Sequence, residues 1–350
     1  VAQEATRLRE ALQAGNRESS ATWNALKRRE DWDRFRLTLT RRLMRSLGET
    51  APQVRPTVQN RGTLEGDGFR VHRLTFEATP GLTITANLYE PKTLRKKMPA
   101  LLLVHSHHAP KSEGELQDIR QMAARAGCVT LVPDLLGHGE RRLHPFAKAD
   151  DFPKPFRVGR QDYYFRYPAA VQLQSRGESL MTLMVRDLRQ CINVLNTRGD
   201  IDPHRIAILG AVAGGGDPAA VTAAVEPRIT TAVIFNFGGP QPETRYPIPD
   251  DAETTFNYAG GGSWESTRNL AGSVRDGFLP WAIIGSIAPR QLVYAHEFRW
   301  DRERDPVWKR LQTIWRWHDA EKNLRFTHGT GSLSGKAPEA SHCNNIGAVH

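Results

Sequence analysis

The sequence predicts an α/β fold: a mostly parallel central sheet with helices on both faces. The first observation behind this is a set of short, continuous apolar runs, Ala100–His105 (ALLLVH), Cys128–Pro133 (CVTLVP) and Ile229–Phe235 (ITTAVIF). Strands buried on both sides read this way. The second is that these runs alternate with segments of helical periodicity, which implies right-handed strand–helix–strand crossovers. The third is Arg205–Gly216, RIAILGAVAGGG, where a β-branched strand runs into a glycine-rich corner and then an Ala-rich helix from about Pro218 to Val225.

Residues 1–48 carry apolar residues at helical spacing between charges, among them Leu8, Leu12, Trp23, Leu26, Phe35, Leu39 and Leu43. A break is expected at Asn16–Ser20, giving two helices. Pro52, Pro56 and Gly62 make 49–62 a linker or loop. The expected organisation is therefore an N-terminal helical extension and linker, 1–62, packed on a main domain, 63–350. From Gly68 the period becomes two, and Pro80-Gly81 sits between two alternating runs as the turn of a β-hairpin. Helices are expected at 114–126, at 172–197 as one long amphipathic element, and at 304–318. Further strands are expected at Gln291–Glu297 and Leu324–Thr327. Two loop-rich excursions, about 134–168 and 237–287, are expected to form a rim.

Composition narrows the class. The chain has 350 residues, 39% hydrophobic, enough for one large domain with a sizeable core. No apolar run reaches the roughly eighteen residues of a membrane span, and Val1–Glu10 is polar and charged. The missing initiator Met and the abrupt end at His350 predict a processed or excised piece. The net charge is +10, but Arg and Lys are interspersed with acids, which favours a soluble basic enzyme over a nucleic-acid or membrane partner. Cys128, Cys191 and Cys343 form no CxxC pair or zinc spacing.

Four stretches fall where open α/β sheets bind ligands, at the carboxyl ends of the strands. The corner matches the glycine frame of a nucleophile elbow, G-x-S-x-G, with Gly210 and Gly214 in the glycine positions. Its central residue, expected to be strained, is Val212, which has no nucleophilic atom. The amide of Ala213 would hold an oxyanion. The second stretch, His105-Ser106-His107-His108, follows the ALLLV run, and an amide near Ser106 or His107 would supply the second oxyanion donor. Its rival reading is a metal site built from His105, His107 and His108, with Asp134 and His138 as further ligands. The third is acidic: Asp301 is the favoured triad acid, with Glu297 and Asp305 as alternatives, and Asp305 before Pro306 also suits a helix N-cap. The fourth, Ser341-His342-Cys343, offers His342 as the base. The order elbow, acid, histidine is that of the α/β-hydrolases.

On these residues the chain resembles an α/β-hydrolase of the acetylxylan-esterase-like, dienelactone-hydrolase-like group. The resemblance is carried by ALLLVHSHH, VRDLRQCINVLNTRGDIDPHRIAILG, GAVAGGG, SIAPRQLVYAHEFRWDRERDP and EASHCNNIG, and extends over about 65–350. The lead Asp202-Pro203 to Arg205-Ile206 is the most group-specific of these. The resemblance implies a serine-dependent carbohydrate esterase of bacterial, secreted or periplasmic type. It would need no cofactor or metal and would act on an acylated polysaccharide or small ester. Val212 departs from it at the attacking atom, and loss of that serine in a serine hydrolase costs about 10⁶ in kcat. The chain is therefore expected to be an esterase disabled at one residue or, alternatively, a glycan-binding pseudoenzyme. A metal-dependent hydrolase is a third reading and a nucleic-acid binder a fourth. Trp264, Glu265, Arg268 and His108 are the expected substrate contacts, and Arg141, Arg142 and Arg157 would favour an acidic glycan.

Overall fold

A computed structural model describes residues 2–48, 55–106, 110–112, 114–142, 158–240, 247–255 and 270–329. Among these, nine strands form one sheet in the order β1-β2-β3-β5-β4-β6-β7-β8-β9. The strands are β1 (Gln59–Glu65), β2 (Phe69–Thr79), β3 (Leu82–Pro91), β4 (Met98–Val104), β5 (Val129–Pro133), β6 (Ile201–Gly210), β7 (Thr231–Phe235), β8 (Gln291–His296) and β9 (Leu324–His328). Strands β4 to β9 pair in parallel, and β1 to β3 are joined to them antiparallel. No helix among the described residues is long and apolar enough to cross a membrane.

Two cores explain why the central strands are apolar throughout. Ala100, Leu102 and Val104 of β4 face one core, as do Ile206 and Ile208 of β6 and Ala232 and Ile234 of β7. Leu101, Leu103, Leu209, Val233 and Phe235 face the other, with Leu116 and Ile119 of α3 (Gly114–Arg125). Successive side chains of a strand point to opposite faces, so burial on both sides removes the polar alternation.

The first core also takes in the N-terminal helices α1 (Ala2–Ala25) and α2 (Arg29–Ser46), through Trp32, Leu39 and Leu43. Contrary to the expected break at Asn16–Ser20, α1 runs through that stretch and ends before Arg29. Its middle is held by tertiary contacts: Ser19 is buried and accepts a hydrogen bond from Trp281 Nε1 at 3.0 Å. Trp23 stands edge-on to Trp281 at 5.7 Å, and the Arg310 guanidinium lies over both rings.

Other elements also differ from expectation. Part of the expected linker is β1, an edge strand exposed along most of its length, so it carries no alternating pattern to read. The expected 172–197 helix is two, α4 (Val158–Ser175) and α5 (Leu180–Asn196). They part at Gly177 (φ 75°), and Ser179 caps α5 by accepting from the Thr182 amide. The expected surface excursion after β5 begins as core: Asp134, Leu135, Leu136 and His138 are buried. Helix α6 (Val212–Val225) starts six residues before Pro218. The N–H that Pro218 lacks would have met Gly214, whose φ of 86° is not helical, so no regular bond is lost. Among the described residues after β7 come three short helices, α7 (Ala252–Thr255), α8 (Ser273–Asp276) and α9 (Pro280–Gly285), and α10 (Pro306–Trp317) follows β8.

Candidate active site

The corner at 210–216 is built by close backbone approach. The Ala211 amide donates to Val104 O at 2.8 Å, so β6 stays paired with β4 until the helix begins. A Cβ on Gly215 would stand 2.6 Å from Val104 O and 2.9 Å from His105 O, and one on Gly210 would press on Ala219 at 2.7 Å. A Cβ on Gly216 would overlap the Phe235 carbonyl. Glycine is therefore required at all three, because α6 enters against the carboxyl ends of β4 and β7. Gly214 takes the left-handed turn. Val212 opens the helix with Ala213 next, the end where a helix concentrates unpaired N–H groups and positive potential.

On one side of the corner lies the turn after β4. His105 is fully buried; its Nε2 accepts from the Leu135 amide at 2.8 Å, so Nδ1 carries the proton and donates to Ser106 O at 2.7 Å. His138, also buried, meets the His105 ring edge-on at 4.9 Å. These bonds leave His105 no nitrogen for a metal, while His107 and His108 of the expected metal reading lie outside the described residues. Both His105 nitrogens are spent on backbone, and Asp134 is bound to Lys111, Thr85 and the Glu140 amide. No group of three potential metal ligands occurs among the described residues. Arg141 is likewise not a rim contact: it is buried, donating to Asp187 Oδ2 at 2.6 Å and Asp134 O at 3.0 Å.

On the other side stand the acids. Glu297 directly follows β8. The Asn236 side chain, just past β7, donates to Glu297 Oε2 at 3.0 Å, and the Glu297 amide donates back to Asn236 Oδ1 at 2.9 Å. Asn236 is buried with φ 52°, a left-handed conformation that Asn tolerates better than most residues. Asp301 joins its own loop to the segment after β7: Oδ1 accepts from the Arg304 amide at 3.3 Å and Oδ2 from the Ile248 amide at 3.2 Å. Asp305 is the N-cap of α10. Its Oδ1 accepts from the Val307 and Trp308 amides, and its Oδ2 from Trp300 Nε1 and Tyr294 Oη. Burial pushes this carboxyl up to about 6 against the pull of those four donors. Beside it, burial and the neighbouring His328 push His296 down to about 3, and its ring lies 4.6 Å from Trp300 in a stacked pair.

Ser106 and the three acids therefore come to the carboxyl edge of the parallel strands, flanking the corner. His107, His108, Arg157, Trp264, Glu265, Arg268 and His342 lie outside the described residues, as do the side chains of Val212 and Ala213. Asn236 and Lys111 were not legible as site residues. The only sequence signal for Asn236 is an Asn followed by Phe-Gly-Gly after a strand, a backbone that must turn sharply.

The family of acetyl xylan esterases (AXE1) matches residues 45–237, just over half of the chain. The chain belongs to this family. The match runs from α2 to just past β7 and includes the corner, but not the acid loop. No curated protein matches the sequence. Among solved structures, a candidate acetyl xylan esterase of Bacteroides fragilis is similar, with TM-score 0.64, 17% identity, and 86% of this chain and 76% of that one covered. A methylesterase matches with TM-score 0.61 and 17% identity, covering 90% of this chain; the chain spans 63% of that protein's length. A glucuronoyl esterase from Solibacter usitatus matches with TM-score 0.50 and 15% identity, covering 84% and 82%. The structural overlap shows the shared α/β-hydrolase fold, while the family match identifies an ester hydrolase by descent.

Proposed function

We propose that this protein is a carbohydrate esterase of the serine-triad type whose attacking position is held by Val212, so that the chain as written binds its ester but does not turn it over efficiently. The observation that carries this reading is the corner itself: three glycines kept by backbone packing around a residue that is valine. In this reading, serine at 212 would add its Oγ to the acyl carbon while His342 takes the proton. The Ala213 amide and an amide of the turn after β4 would hold the oxyanion. His342 would return the proton to the departing sugar hydroxyl, and water would then release the acid. Glu297 is the acid we assign to orient His342, ahead of Asp301. Its carboxylate is aligned by Asn236 at the strand end, whereas the Asp301 oxygens bind their own loop and Ile248. Trp264, Glu265, Arg268 and His108 remain the proposed substrate contacts, and the acylated-polysaccharide substrate implies a secreted or periplasmic location.

The test is hydrolysis of 4-nitrophenyl acetate and acetylated xylan by Val212→Ser beside the unaltered chain. A rise of about 10³-fold or more, abolished by His342→Ala, is expected. A folded Val212→Ser protein with no gain would overturn the disabled-esterase reading and leave the glycan-binding pseudoenzyme, which predicts saturable binding without turnover.

A further inference from the structure

Another heavily bonded buried charge in the described residues lies outside the acid loop, under the turn that follows β4. Asp134, the first residue past β5, is fully buried. It accepts from the Lys111 amide at 3.0 Å, Thr85 Oγ1 at 3.0 Å and the Glu140 amide at 3.1 Å, and it forms an ion pair with Lys111 Nζ. Every polar group of Lys111 is engaged: the amide and ammonium by Asp134, the ammonium also by Glu140 at 2.6 Å, and the carbonyl by Arg120. Arg120 is itself buried, 5.0 Å over the Tyr89 ring. The adjacent residue, Leu135, holds the other end of the turn through its amide bond to His105, whose ring bonds Ser106 O. Two consecutive residues past β5 thus grip residues 105–106 and residue 111. Gly139 allows this, since a Cβ there would collide with the Asp134 carboxylate. The platform is braced in turn by Arg141, which joins Asp134 O to Asp187 of α5.

Burial alone would push the Asp134 carboxyl up, but Lys111 outweighs it and holds it below the usual carboxylate range. An ion pair that costs desolvation is weak grounds for stability, and apolar replacements of such pairs are often neutral. Its particular consequence here is geometric. We propose that Asp134 and Lys111 are positioning residues that fix the main chain at Ser106 for oxyanion binding. This rests on the esterase reading above, because it assigns the pair to that reaction.

The experiment removes both charges at once. Lys111→Met with Asp134→Asn avoids stranding either ion, so the protein should keep its fold and a melting temperature near that of its parent. In a Val212→Ser background the pair of substitutions is expected to lower kcat for 4-nitrophenyl acetate about 10²-fold with KM nearly unchanged, as small misplacement of a transition-state donor does. In the unaltered Val212 chain it should speed amide hydrogen exchange over 105–111 relative to the rest of the sheet edge. Unchanged kcat in an active Val212→Ser enzyme would overturn the proposal. If Val212→Ser itself is inert, the esterase reading fails. In that case unaltered exchange over 105–111 overturns the grip, and accelerated exchange retains it as a constraint on the turn.

Discussion

Replacing Asp305 tests how a buried helix cap behaves when it can ionise. Four donors converge on this carboxyl: two amides at 2.7 and 3.2 Å, Trp300 Nε1 at 2.8 Å and Tyr294 Oη at 3.2 Å. Asp305→Ala removes the cap, about 1 kcal/mol, and leaves two buried side-chain donors unpaired at roughly 1–2 kcal/mol each. The penalty should be about 4 kcal/mol where the carboxyl is protonated. Burial holds the folded carboxyl up at about 6 against its ordinary value of 3.8. Between those values the folded state keeps a proton that the unfolded state has released. The contribution of Asp305 is therefore complete below the unfolded value and is lost as pH rises through about 6, by about 3 kcal/mol in all. Alanine has no such slope, so Asp305→Ala should cost about 3 kcal/mol at pH 4.5, where about 1 kcal/mol of the contribution is already lost, and only about 1 kcal/mol at pH 7.5. Urea unfolding at the two pH values, followed by tryptophan fluorescence, measures both. A penalty larger at pH 7.5 than at pH 4.5 would mean that the four donors outweigh burial, and would refute the reasoning.

His296 should give the opposite slope. Its folded value of about 3 lies below the ordinary 6.5, so stability falls as pH drops from 6.5 towards 3, by up to about 5 kcal/mol; His296→Phe should move acid unfolding to lower pH. In the Val212→Ser enzyme, Glu297→Gln should lower kcat by about 10³-fold or more while Asp301→Asn stays within several-fold; equal losses would return the acid role to Asp301. Gly216→Ala drives a Cβ into the Phe235 carbonyl and should cost at least about 2 kcal/mol in thermal or urea unfolding; a neutral result would show that α6 can back away from β7.

Much of the fold was legible because doubly buried strands and amphipathic helices write their periods into the chain. Runs such as ALLLVH and ITTAVIF became β4 and β7, and the Pro80-Gly81 turn joined β2 to β3. The failures have specific causes. Strand β1 is an exposed edge whose side chains face no core. Helix α1 runs past the expected break because Ser19 and Trp23 bond and pack against Trp281, more than 250 residues away, so distant packing outweighs local propensity. The segment after β5 looks like loop because it is polar, yet its Asp134, His138 and Arg141 are buried, Arg141 donating to Asp134 O and the His138 ring meeting that of His105.

The site divides along the same line. The glycine corner, the valine within it, the polar turn after β4 and the acids after β8 are all properties of chain order, and a strand–turn–helix frame announces itself locally because its glycines sit within seven residues. Which carboxylate is committed elsewhere is a question of partners. Asp305 belongs to α10, Asp301 to its loop, and Glu297 faces Asn236 across neighbouring strands. The removal of His105 from any metal site, and the grip of Asp134 and Leu135 on the turn, likewise come from contacts between β4 and β5. Hydrogen bonds between segments far apart in sequence leave no period and no spacing, so they become visible only once the sheet has brought its strand ends to one edge.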